Sequence, residues 1–192
     1  AVEFPEGRVA KAIGMGHKHT CAILDNDQLA CWGADLHGAL GNGDSNSEDQ
    51  YLPVIISTPA DRTTVKVEAG VSHTCLLMDD GGIMCWGRDN VGQLGNGESN
   101  PTTYAPESDV ILPEGRVATD LSVGNEHSCA ILDNASIICW GINNVGQLGD
   151  NSTNDAKTPT FVDLPNGSKA TKISSGSGHT CATIENGSLY CW

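Results

Sequence analysis

Short apolar runs alternate with glycine- and Asx-rich turns along the whole chain, and one arrangement of them returns four times. The clearest copy is His127-Ser-Cys-Ala-Ile-Leu, a polar turn, and Ile137-Ile-Cys-Trp-Gly. His19-Thr-Cys-Ala-Ile-Leu, His73-Thr-Cys-Leu-Leu-Met and His179-Thr-Cys-Ala-Thr-Ile open the other copies, with 54, 54 and 52 residues between successive histidines. A fixed period near fifty indicates a repeat array or a propeller. Each copy reads as a β-hairpin, because the turns Asp25-Asn-Asp-Gln, Asp79-Asp-Gly-Gly, Asp133-Asn-Ala-Ser and Glu185-Asn-Gly-Ser tolerate positive φ. Before each histidine lies an alternating run suited to a half-buried strand, as in Val9-Ala-Lys-Ala-Ile-Gly-Met-Gly and Val117-Ala-Thr-Asp-Leu-Ser-Val-Gly. After each of the first three Cys-Trp-Gly units come a glycine-rich loop, a polar stretch and a fourth run: Pro53-Val-Ile-Ile, Asp109-Val-Ile-Leu and Thr160-Phe-Val-Asp.

Four strands per period, with no useful helical periodicity, predict an all-β chain: a β-propeller of four-stranded blades. The blades fall at about 9–58, 65–112, 117–164 and 170–192. Val2-Glu-Phe-Pro-Glu-Gly-Arg-Val parallels Val110-Ile-Leu-Pro-Glu-Gly-Arg-Val, so residues 2–4 are expected to complete the last blade. They would do so within one chain or in a neighbouring molecule, and the second arrangement is head-to-tail and builds rings or filaments. A place for the four repeats within a longer propeller is the third alternative.

The cysteines sharpen this reading. In every copy two of them lie ten positions apart, which places them opposite each other on the hairpin. Opposed Cα atoms about 4.5–5.5 Å apart are within disulfide range. Eight cysteines allow 105 connectivities in principle. One spacing repeated four times favours the local set: Cys21–Cys31, Cys75–Cys85, Cys129–Cys139 and Cys181–Cys191. Each closed loop contributes on the order of 3 kcal/mol in the chain-entropy model. Aromatic content is only 5%, so Trp32, Trp86, Trp140 and Trp192 must fill much of each blade, and bridges are useful in so thin a core.

His-Thr-Cys-Ala, Cys-Trp-Gly and Asn-x-x-Gly-Gln-Leu-Gly, which with their close variants recur in one order over essentially all 192 residues, resemble the repeat of the regulator of chromosome condensation family. The resemblance implies a β-propeller, usually seven-bladed, that presents loops to protein partners. The paired cysteines and the four repeats differ from the nuclear members and are similar to the secreted bacterial versions, which weighs against a nuclear nucleotide-exchange role.

Charge narrows the partners. With 10 Lys and Arg against 24 Asp and Glu, the net charge is −14, so the basic footprint of a nucleic-acid binder is missing. No apolar run is long enough for a membrane-spanning helix. Four cysteine pairs point to an extracellular or cell-surface location, with the periplasm as the alternative. The absence of an apolar leader and the opening on Ala1 fit a processed chain and fit a domain equally well.

Candidate chemistry is sparse. A His-x-Cys with a distant Cys could begin a zinc site, but opposed cysteines supply no fourth ligand, so no metal and no cofactor are expected. His19, His73, His127 and His179 are read as packing residues that donate to a neighbouring blade's backbone. The oxygen-rich loops after Gly43 and Gly149 lack the twelve-residue calcium pattern. Asn134, Asn151, Asn166 and Asn186 head glycosylation sequons. No nucleophile elbow, phosphate loop or metalloprotease motif occurs, so no catalytic residue is assigned. The repeats differ most in the loops at 45–52 and 98–106, which makes Asp44, Glu48, Asp49, Tyr51, Glu98 and Tyr104 the candidate binding positions. The expected function is a non-enzymatic extracellular interaction or structural scaffold, able to self-assemble head to tail. The alternatives are a secreted inhibitor acting through the variable loops and, against the cysteine evidence, a guanine-nucleotide exchange factor.

Overall fold

Every repeat folds as one antiparallel sheet in the computed structural model, which describes residues 1–98 and 102–192. The first sheet is β1 (Ala10–Met15), β2 (His19–Leu24), β3 (Leu29–Gly33) and β4 (Gln50–Ile56). The second is β5 (Thr64–Ala69), β6 (His73–Met78), β7 (Ile83–Arg88) and β8 (Thr102–Thr103). The third is β9 (Ala118–Val123), β10 (His127–Leu132), β11 (Ile137–Gly141) and β12 (Ala156–Phe161). The last is β13 (Ala170–Ser175), β14 (Thr180–Ile184) and β15 (Leu189–Cys191). Strands neighbour each other in chain order, the plan of a propeller blade.

The hairpin turns follow from their residues. Leu24 N–H donates to Gln28 O at 2.8 Å, closing a three-residue loop in which Asp27 adopts φ 68°. Gly81, Ala135 and Gly187 take the same left-handed place in the other blades. One residue earlier an Asx side chain accepts a backbone N–H two residues on, from Asn26 to Gln28, Asp80 to Gly82, Asn134 to Ser136 and Asn186 to Ser188. This turn chemistry accounts for the sequons at Asn134 and Asn186. It also sets Cys21 opposite Cys31 and fixes the same register in every blade, with Cα atoms 4.1–4.2 Å apart and all eight sulfurs paired within their own hairpins.

The core lies between sheets. Cys21, Ile23, Leu29 and Cys31 pack on Val67, Leu76 and Trp86 of the next blade. Cys75, Ile83 and Cys85 meet Leu121 and Trp140 in the same way, and Cys129, Ile137 and Cys139 meet Ile173 and Trp192. A disulfide therefore forms the forward face of each blade, and an aliphatic residue of the inner strand forms the rear face of its successor.

Two details differ from the sequence reading. In the second blade the fourth strand is interrupted: β8 pairs with β7 at Thr102 and Thr103, and Asp109 then bridges Met84 separately. Residues 2–4 form no strand, and Phe4 lies edge-on to Trp32 with ring centroids 5.8 Å apart. Within a single chain this segment therefore covers the first blade, as Leu112 and Leu164 cover the clusters of Trp140 and Trp192, and β15 keeps an open edge.

Candidate functional site

The repeated unit of chemistry is the joint between one blade and the next. It begins with the histidine that opens each hairpin. His19 Nε2 lies 2.8 Å from Thr74 Oγ1, His73 Nε2 is 3.0 Å from Ser128 Oγ and His127 Nε2 is 2.9 Å from Thr180 Oγ1. The hydroxyls of Thr74 and Thr180 donate onward to Ala39 O and Gln147 O. A hydroxyl has one proton, so at these joints the imidazole is the donor and is protonated on Nε2. The expected backbone partner is thus replaced by a side chain, the hydroxyl immediately after the next histidine. The recurring His-Thr/Ser-Cys order carried that signal.

Burial holds these rings neutral. Desolvation lowers the pKa of His19 to about 4 and of His127 to about 4. It lowers His73 to about 3, with repulsion from His127 and His19 adding to the effect.

The glycine-rich loop closes the other side of the joint. Trp86 Nε1 donates to Ala39 O at 3.0 Å, Trp140 to Gln93 O at 2.9 Å and Trp192 to Gln147 O at 3.0 Å. The loop reaches the indole because glycine sits over the ring: Gly95 has φ +68°, and a Cβ there would lie 2.9 Å from Trp140 Cδ1. Each loop is pinned at its start by a buried Asx residue. Asp35 Oδ1 accepts Leu40 N–H, Asp89 Oδ1 accepts Leu94 N–H and Asn143 Oδ1 accepts Leu148 N–H. None of these three residues is among the sequence-based candidates, although their fixed place two positions after each Cys-Trp-Gly marks them. Lys66–Asp120 and Arg88–Glu126 add ion pairs across the joints.

The variable-loop candidates separate into two groups. Tyr51 is 92% exposed on β4, and Glu48 faces solvent beside it. Asp49 accepts the N–H of Asp35 and Asp44 accepts that of Asn46, so both order their own loop. Tyr104 packs over Gly38 and accepts Gly43 N–H through its carbonyl, which ties the second blade to the first. The side chain of Asn96 caps the N–H of Glu98, and the next three positions of that loop, 99–101, lie outside the described residues. Among the described residues, no three His, Cys, Asp or Glu side chains are grouped to hold a metal ion, and no helix is long and apolar enough to cross a membrane.

Both outer faces of the array are uncovered. Ile13 is 58% exposed, whereas its counterparts Val67 and Leu121 are 2% and 0% exposed. Leu189 is 63% exposed, whereas Leu29 and Ile83 are fully buried. Among the described residues, the rear face of the first blade and the forward face of the last are therefore exposed. Among the described residues, Thr20 has no histidine and His179 has no hydroxyl partner.

Known proteins share this architecture. The model of the regulator of chromosome condensation (RCC1) repeat matches residues 26–77, 80–131 and 135–183. Human E3 ubiquitin-protein ligase HERC2 is 29% identical over 171 residues, which are 89% of this chain and 4% of that protein. Ultraviolet-B receptor UVR8 of Arabidopsis thaliana is 27% identical over 187 residues, 97% of this chain and 42% of that one. The structure of Prp20p from Saccharomyces cerevisiae, described with its binding to Gsp1p and histones, superposes with a TM-score of 0.79 at 22% identity. That match covers 98% of this chain and 45% of Prp20p, so the chain spans less than half the length of each relative.

Proposed function

The chain belongs to the regulator of chromosome condensation repeat family, and on that footing we propose that it is a non-enzymatic scaffold for protein interaction, acting outside the cell and joining head to tail. The observation that carries this reading is the interrupted joint. The free forward face of the last blade carries His179, Leu189 and the Cys181–Cys191 bridge, and the free rear face of the first carries Thr20, Ile13 and Trp32. These are the same residue types that close the three internal joints, so a second copy fits by the same contacts. The extracellular assignment rests on four bridges in a chain with no free thiol, since cytosolic thiols are kept reduced. A second reading has the faces covered by further blades of one longer polypeptide, and the share of the relatives spanned favours it.

Light scattering on two blocked variants tests the assembly. Ile13→Glu removes the rear face and Leu189→Glu the forward face, so each alone should be monomeric. Their mixture should give a one-to-one dimer, because each retains the face that the other lacks. A parent chain that stays monomeric at every concentration, or a mixture that forms no dimer, defeats the head-to-tail reading and leaves the longer-polypeptide one. Alkylation of native protein tests the location: all eight thiols should be blocked until a reductant is added.

A further inference from the structure

The pinning residue of the glycine-rich loop is an amide in the third blade and a carboxyl in the first two. Asn143, fully buried, donates from Nδ2 to Asp150 Oδ1 at 3.1 Å and to Ser152 O and Oγ at 3.2 Å. Everything around that nitrogen is an acceptor.

Asp35 and Asp89 are as deeply buried and use Oδ1 identically, taking Leu40 N–H at 2.9 Å and Leu94 N–H at 3.1 Å. The following turns are also the same, since Asn42, Asn96 and Asp150 each accept the N–H two residues ahead. Oδ2 of Asp35 and of Asp89 therefore occupies the position that Nδ2 holds in Asn143. Both of these oxygens are buried and receive no hydrogen bond. An ionised carboxylate there would be buried with one oxygen receiving no hydrogen bond, a costly state in a dry site.

We propose that Asp35 and Asp89 are held as neutral acids, each Oδ2–H supplying the donor that Asn143 supplies as an amide, so that the first two interblade joints are latched by protons. The latched loops carry Ala39 O and Gln93 O, the acceptors for Trp86 and Trp140. Acidification then tightens these two joints, while the third is latched at every pH.

Burial favours the neutral form of both acids, whereas the facing charges favour it at Asp35 and, through Lys157, oppose it at Asp89. Burial raises the pKa of Asp35, and the carboxylates of Asp44 and Asp49 raise it further, against the Leu40 hydrogen bond. Burial raises Asp89 to about 6, with Glu98 adding to the rise and Lys157 and the Leu94 hydrogen bond opposing it. The unfolded chain releases this proton near 3.8, so between 3.8 and about 6 the folded state binds more protons. The stability that the proton supplies is complete below that interval and is lost as pH rises through it.

The test compares the parent with Asp35→Asn, Asp89→Asn and the double variant by thermal unfolding at about pH 7.5 and about pH 4.5. Converting the acids to the residue of the third blade should raise the Tm of the double variant at the higher pH by roughly 2–4 °C or more. The gap should narrow at the lower pH, and the histidine titrations, common to all forms, cancel in the difference. A gap equal at both pH values, or a variant less stable at the higher pH, overturns the proposal. So does a Tm rise with added Ca²⁺ in the parent that Asp35→Asn abolishes, because a cation and not a proton would then occupy the site. Infrared spectroscopy of the parent is independent of any variant. A protonated carboxyl band should persist at about pH 5.5, where exposed acids are ionised, and its absence there also overturns the proposal.

Discussion

A hydroxyl between two blades has two obligations, and Thr74 meets both: it receives the His19 ring N–H and gives its own proton to Ala39 O. Thr74→Val should leave the buried imidazole donor of His19 unpaired and Ala39 O with the Trp86 indole N–H alone, at about 1–3 kcal/mol in chemical denaturation. Thr74→Ser should recover most of that loss, since Ser128 occupies this place in the next joint. Equal losses for the two variants would mean that the methyl group matters and the ladder does not. The rings themselves give a pH dependence. Each is neutral when folded and protonates near 6.5 when unfolded, so between 6.5 and about 4 (about 3 for His73) the unfolded chain binds more protons. Their contribution is complete above 6.5 and falls as pH falls through that range, opposite in sign to the Asp89 contribution. Titrating stability with the double Asp→Asn variant removes the two opposing acids from this histidine limb, leaving Glu68 as a smaller opposing group, and stability that rises as pH falls from 6.5 to about 4 would contradict the neutral assignment.

At the scale of the hairpin, four loops of identical length separate two effects that disulfides usually combine. Every bridge joins cysteines ten positions apart, so loop closure contributes the same amount to each, on the order of 3 kcal/mol. Cys75 and Cys85 are also part of the core between the second and third blades, whereas the Cys181–Cys191 bridge lies on the free forward face. Replacing Cys75 and Cys85 by Ala should therefore cost about 1–3 kcal/mol more than replacing Cys181 and Cys191, the excess being lost packing. Denaturant midpoints read the difference directly, and equal costs would show that the bridge is not part of the interblade core. The hairpins were legible in the sequence because period, turn chemistry and cysteine spacing all act within a dozen residues. The interruption between β8 and Asp109 was not, because it depends on where a long polar loop returns to a sheet edge. Whether residues 2–4 form a strand was not legible either: within one chain they form none, although Phe4 lies on Trp32 as Leu112 and Leu164 lie on the clusters of Trp140 and Trp192. Asp35 and Asp89 escaped notice because their fixed place two positions after Cys-Trp-Gly marks them as recurrent but does not show that they are buried.

The chain carries a net charge of −14, and that charge bears on how two copies can meet. Any face-to-face approach brings like charges within a Debye length, about 10 Å at 0.1 M ionic strength. The faces proposed to dock are apolar at their centres, through Ile13 and Leu189, and hydrogen-bonded through His179 and Thr20, so nothing in the joint itself calls for charge attraction. Salt should then help association by screening the bodies without weakening the contact. The expected dissociation constant, from concentration-dependent light scattering, falls as ionic strength rises from about 0.01 M to about 0.15 M and changes little beyond that. Ile13→Glu and Leu189→Glu should remain monomeric across the whole series, which separates docking of these faces from general salting-out. A parent chain whose association weakens with salt would instead be held by ion pairs elsewhere on its surface. The free faces would then have to be assigned to blades of the same polypeptide.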